Sequence, residues 1–134
     1  MNHLDNEQRK RIVAALVEGN SIRATSRMTG VSQNTIFKLL TDLGNACTEY
    51  QDKAFRNLNC KRIQCDEIWS FVGAKAKNTT PEMKAEKGYG DVWTWVAMDA
   101  DSKLVPCWSV GSRDGLTAYE FISDLASRLS NRVH

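Results

Sequence analysis

The apolar positions change period about halfway along the chain. Up to about residue 55 they recur at helical spacing; from Lys61 they alternate or cluster as in strands, until a last helical stretch. The first helix is predicted from Asn6 to Val17, with Leu4, Ile12, Val13, Leu16 and Val17 as its apolar stripe. Gly19 ends it. Ser21 can cap a short second helix, Ile22 to about Thr29. Gly30 then stands where a tight turn wants a left-handed residue. Val31 packs inward, and Ser32 caps a third helix with the stripe Ile36, Leu39, Leu40 and Leu43. A small residue, Ser26, four positions before Gly30, lets the second and third helices approach closely. The pattern stays helical through GNACTEYQDKAFRNL, either as one long helix or as two broken at Gly44.

Lys61 to Val72 reads as a strand. Side chains alternate across a sheet, so Asp66 and Glu67 point to opposite faces. Cys65, Trp69 and Phe71 side with Glu67, while Ile68 and Val72 side with Asp66. Both faces are partly apolar, which predicts an internal strand with helices on at least one side. A carboxylate inside such a strand is costly unless paired or bound to metal, so Asp66 draws attention. The alternative is an exposed strand end or a salt-bridged structural acid. Residues 74–90 are polar and read as a mobile loop or loose hairpin end; Lys75, Lys77, Lys84 and Lys87 suit phosphate or plain solvent. Residues 91–111 read as a hairpin, strands Val92–Met98 and Leu104–Val110, turning at Asp99 to Ser102. Pro106 makes the second strand an edge or irregular. Trp93, Trp95 and Trp108 read as packing residues, and Asp99 as a turn residue. The last helix has Thr117 and Glu120 at capping-box spacing. Its predicted apolar face is Leu116, Tyr119, Ile122, Leu125, Ala126 and Leu129.

Composition narrows the class. The chain has 134 residues and is 42% hydrophobic, enough for one folded domain or two small ones. No apolar run approaches the ~20 residues of a bilayer span, and the start lacks a secretory signal, so a cytoplasmic protein with no membrane partner is expected. Cys47, Cys60, Cys65 and Cys107 lack zinc-knuckle spacing and read as small buried hydrophobes. Residues 1–62 hold ten Lys or Arg against six Asp or Glu, a net of +4, and residues 63–134 eight against ten, a net of −2. The basic excess falls in the half with the helical pattern, as phosphate contact requires.

The predicted helix–glycine turn–helix is the pattern of a DNA-binding helix-turn-helix, though it also suits a trihelical bundle that only packs or dimerises. On the DNA reading the third helix is the recognition helix. Its early polar face offers Gln33, Asn34, Thr35 and Lys38. Gln33 or Asn34 could read adenine edges, and Lys38 could meet guanine or phosphate. Arg23 and Arg27 on the second helix suit phosphate contact.

The strings CDEIWSFVGAKAK and GDVWTWVAMDADSKLVPCWSVGSRDGLTAYEFISDLASRL resemble the insertion-sequence-one family of bacterial transposases, of the Asp-Asp-Glu superfamily. VEGNSIRATSRMTGVSQNTIFKLL resembles that family's helix-turn-helix, and the likeness covers nearly the whole chain. The cysteine-rich segment of some relatives is not present ahead of it. The resemblance implies an α+β chain: a helix-turn-helix trihelical domain (1–45), a helical connector (46–60) and a partial ribonuclease-H-like domain of three strands and one helix (61–134). It implies that Asp66 is the first catalytic aspartate and a metal ligand, and that Glu67 is structural. In such enzymes three carboxylates hold two divalent metals, Mg²⁺ or Mn²⁺, that activate water and then a 3′-hydroxyl for attack on phosphodiesters. The second aspartate is expected on a fourth strand after the last helix, and the glutamate on a later helix. The expectation is therefore a catalytically incomplete transposase fragment. It would bind the terminal inverted repeats of its element, need hold no metal itself, and could form a homo-oligomer. The alternative is a non-enzymatic DNA-binding module that competes for element ends.

Overall fold

The computed structural model describes residues 3–133. It is an α+β protein: three helices, then a three-stranded antiparallel sheet accompanied by further helices. The chain divides after Tyr50 into two compact units, within the stretch 46–60 expected as a connector.

The first unit holds helices α1 (Asn6–Val17) and α2 (Ile22–Thr29) and most of α3 (Gln33–Ala54). Gly44 does not interrupt α3. The start of α1 is set by a capping box: the Asp5 carboxylate accepts from Gln8 N at 2.8 Å, and the Gln8 side chain accepts from Asp5 N at 3.0 Å. Ile12, Thr25 and Ile36, one from each helix, are fully buried and form the centre. Several residues of the predicted stripes are not in it. Val17, Leu40 and Leu43 are exposed, because three helices alone enclose little more than one side chain each at their crossing.

In the second unit β1 (Ile63–Val72), β2 (Gly90–Asp99) and β3 (Cys107–Gly111) pair in the order β1-β2-β3. β1 is therefore an edge strand, not the predicted internal one, and most of its residues are exposed. The register pairs Glu67 with Trp95 and Trp69 with Trp93 on one face, and Asp66 with Val96 and Ile68 with Thr94 on the other. The final helix, α5 (Gly115–Arg128), packs on the first of these faces. Trp95, Ala97, Cys107, Phe121 and Leu125 make that core. Phe121 lies outside the predicted apolar face, whereas Leu116, Tyr119 and Ile122 of that face are exposed. The buried stripe runs through Ala118, Phe121, Leu125 and Leu129, turned about the helix axis by roughly one residue, about 100°, from the one expected. The cap also differs: Asp114, not Thr117, caps α5, accepting from Thr117 N at 2.8 Å.

β3 begins only after Pro106, later than the predicted Leu104, since proline cannot donate to the ladder. Gln51 donates instead to the carbonyls of Val105 at 2.9 Å and Pro106 at 3.1 Å. The stretch expected as a loop contains a 3-10 turn (Ala76–Asn78) and a short helix, α4 (Pro81–Lys87). Thr80 caps α4, Pro81 opens it and Gly88, at φ 62°, closes it. Of the cysteines, Cys60 and Cys107 are buried as expected, but Cys47 and Cys65 are exposed. Burial, helped by Asp124, pushes the Cys107 thiol up to about 12. Among the described residues no helix is long and apolar enough to cross a membrane.

Candidate nucleic-acid interface

The turn between α2 and α3 is built by side chains as well as by glycine. Gly30 closes α2 at φ 71°, and its N–H donates to Ser26 O at 3.0 Å. The Ser26 hydroxyl donates to Val31 O at 2.7 Å, so Ser26 ties the turn together as well as being small. The Ser32 hydroxyl accepts from Thr35 N at 3.3 Å and lies 2.8 Å from the Thr35 hydroxyl. The start of α3 is thus tied to the end of α2 by side-chain as well as backbone hydrogen bonds.

Arg23, Arg27, Gln33, Asn34 and Lys38 are exposed. None of Arg23, Arg27 and Lys38 forms an ion pair among the described residues. Residues 21–40 contain these three cations and no Asp or Glu. Arg23 and Arg27 have no acid within four residues, while Asp42 stands one turn beyond Lys38 on α3, so the local positive charge rests mainly on the two arginines. Thr35 differs from its neighbours: it is half-buried and its hydroxyl is engaged by Ser32, which directs it to the cap and away from an outside partner.

Asp66 sits mid-strand on the sheet face away from α5, beside Val96 and, one strand further, Trp108. It is exposed, so the burial cost expected of an internal carboxylate does not arise. Its carboxylate accepts from the Glu67 backbone N–H at 2.8 Å. Glu67, half-buried on the opposite face, lies 3.8 Å from Arg113. Among the described residues no three His, Cys, Asp or Glu side chains are grouped as a metal site would group them. One carboxylate among apolar neighbours does not fit a pair of divalent metals, which needs several shared oxygen ligands. Asp99, at the end of β2, is the buried carboxylate of this sheet, and it is a turn residue as expected: one oxygen accepts from Ser102 N at 3.0 Å and Ser102 Oγ at 2.6 Å. Its other oxygen is buried without a partner.

No protein-family model matches the chain, and no curated protein matches it in sequence.

Proposed function

We propose that this protein binds double-stranded DNA through α2 and α3, as a helix-turn-helix of a transposase related to the insertion-sequence-one family. The observation that carries the reading is the hydrogen-bonded Ser26–Gly30–Ser32 turn presenting three unpaired cations beside exposed Gln33 and Asn34. On this reading Arg23 and Arg27 grip phosphates, while Gln33, Asn34 and Lys38 face base edges in the major groove. The natural target is the terminal inverted repeat of a mobile element. The sheet then corresponds to the start of a ribonuclease-H-like domain, with Asp66 at the position of its first metal-binding carboxylate. Cleavage and strand transfer require more carboxylates than are grouped around Asp66, so no step of that chemistry is assigned to these residues.

Duplex binding measured against salt concentration tests the reading. Each phosphate that the protein no longer neutralises should flatten the slope of log affinity against log salt by about 0.9. Changing Arg23, Arg27 and Lys38 together to Ala should therefore weaken binding at least about tenfold and flatten the slope by roughly 2, one step for each arginine on a phosphate. A wild-type chain with no salt-dependent duplex affinity, or a triple variant that binds unchanged, would sink it.

A further inference from the structure

A cleft of about 720 Å³ in the second unit lies between α4, the start of β2 and the segment after β3, and has no part in the reading above. Its size is that of a site for one small ligand. Two cations stand at its wall. Lys84 is exposed and has no ion pair among the described residues. Arg113 is 61% exposed, reaches Glu67 only at 3.8 Å, and lies with its guanidinium carbon 5.1 Å from the Trp93 ring centroid. The lining carboxylate, Asp91, is turned to the backbone, accepting from Ala76 N at 2.8 Å.

The other walls are aromatic. Trp93 is half-buried and held from behind by the α5 core. The Tyr89 ring lies flat against Gly73, at φ 67°, where any side chain would overlap it. The rings are seated before any ligand arrives, so their own ordering does not oppose binding. Arg113 lies over the Trp93 ring and the Lys87 ammonium stands 5.6 Å from the Tyr89 centroid, so a flat ligand reaches the rings by displacing these side chains, and their charge together with that of Lys84 selects a ligand with an anionic group attached to a flat ring system. A nucleotide has that form, and it offers its ring face only when it is unpaired.

We propose that this cleft takes one unpaired nucleotide of a DNA single strand, its phosphate between Lys84 and Arg113 and its base against the Tyr89–Trp93 wall. From the preceding reading the proposal takes only that the ligand is DNA; the cleft's own chemistry would also suit a free nucleotide.

The test uses the full chain, a labelled oligothymidylate of about fifteen nucleotides, and a duplex in parallel, read by fluorescence anisotropy. Lys84→Ala and Arg113→Gln alter exposed side chains, and circular dichroism checks that they fold. Each should weaken oligothymidylate binding about tenfold, flatten its salt slope by about 0.7, and leave duplex affinity within about twofold. An abasic strand of the same length should bind at least about fivefold more weakly than oligothymidylate. Single-strand binding unchanged in both variants, or equal for the abasic strand, overturns the proposal. Thymidine monophosphate that competes as well as the oligonucleotide, mole for mole, overturns the strand in favour of the free nucleotide. A wild-type chain without duplex affinity but with Lys84-dependent single-strand binding overturns the helix-turn-helix reading and supports this one.

Discussion

Ser102 shows how one residue sets the charge state of another. The Asp99 carboxyl is held below its ordinary value of 3.8, first by the Ser102 hydroxyl and then by the Ser102 backbone N–H, both of which favour the ionised form over the opposing effect of burial. A carboxyl whose folded pKa is depressed stabilises the fold above its unfolded pKa, and that stability is lost as pH falls through the lower folded value. Ser102→Ala should therefore lower stability at neutral pH. The gap to wild type should close below about pH 3.8. Urea denaturation at several pH values measures it; a gap that stays constant down to the lowest pH would refute the assignment. The turn itself was legible, because Asp and Ser around a polar break signal it. Two further signals of this scale stand in the sequence beyond those read from it. Asp5 and Gln8 have capping-box spacing, and Thr80–Pro81 with Gly88 brackets a short helix. The burial of Asp99 and the exposure of Cys47 and Cys65 were not legible, since both depend on contacts between distant segments.

Among elements, α5 is joined to residues 51 and 52 by one guanidinium. Arg128 is 5% exposed and donates to Asp52 at 2.6 Å, to Asp124 at 2.9 Å and to Gln51 O at 3.3 Å. Desolvation works against its charge, and the bonds from the two acids outweigh it and raise its pKa. The carboxylates are half-exposed and can regain water, whereas the guanidinium cannot. Removing the cation should therefore hurt less than stranding it. Arg128→Leu should cost about 2 kcal/mol, while Asp52→Asn with Asp124→Asn should cost about 3–5 kcal/mol. Urea midpoints rank the two; the reverse order would contradict this account. Periodicity predicted α1 and α2 to their last residues because their caps and breakers are local. It misplaced the stripe of α5 because both Phe121 and Tyr119 fit a helical repeat, and only the sheet decides which one is covered. It misplaced β1 for a similar reason: apolar residues on both faces resemble an internal strand, and pairing alone reveals an edge.

Across the whole molecule the charge asymmetry has a different origin from the one composition suggested. Residues 1–50 hold six basic and five acidic side chains, so most of the excess lies in residues 51–62. There Arg56 is paired with Asp52, and Arg62 with Asp101. Replacing Arg56 and Arg62 by Gln should leave duplex affinity within about threefold, against the tenfold or greater weakening expected for Arg23, Arg27 and Lys38. The same binding titration compares them, and an equal weakening would show that net charge, and not the α2–α3 surface, holds DNA. β1 carries one more consequence. A ten-residue strand with an unpaired edge and exposed Ile68, Trp69, Phe71 and Val72 is a template for stacking against its own kind. Its central Asp66 and Glu67 bring like charges together in any such stack, so they act as gatekeepers against aggregation. Neutralising Asp66, the natural way to ask whether it is catalytic, removes one gatekeeper. Asp66→Asn should scatter more light than wild type at equal concentration, and Asp66→Glu should not. An activity abolished in the first variant and kept in the second could thus report precipitation instead of chemistry.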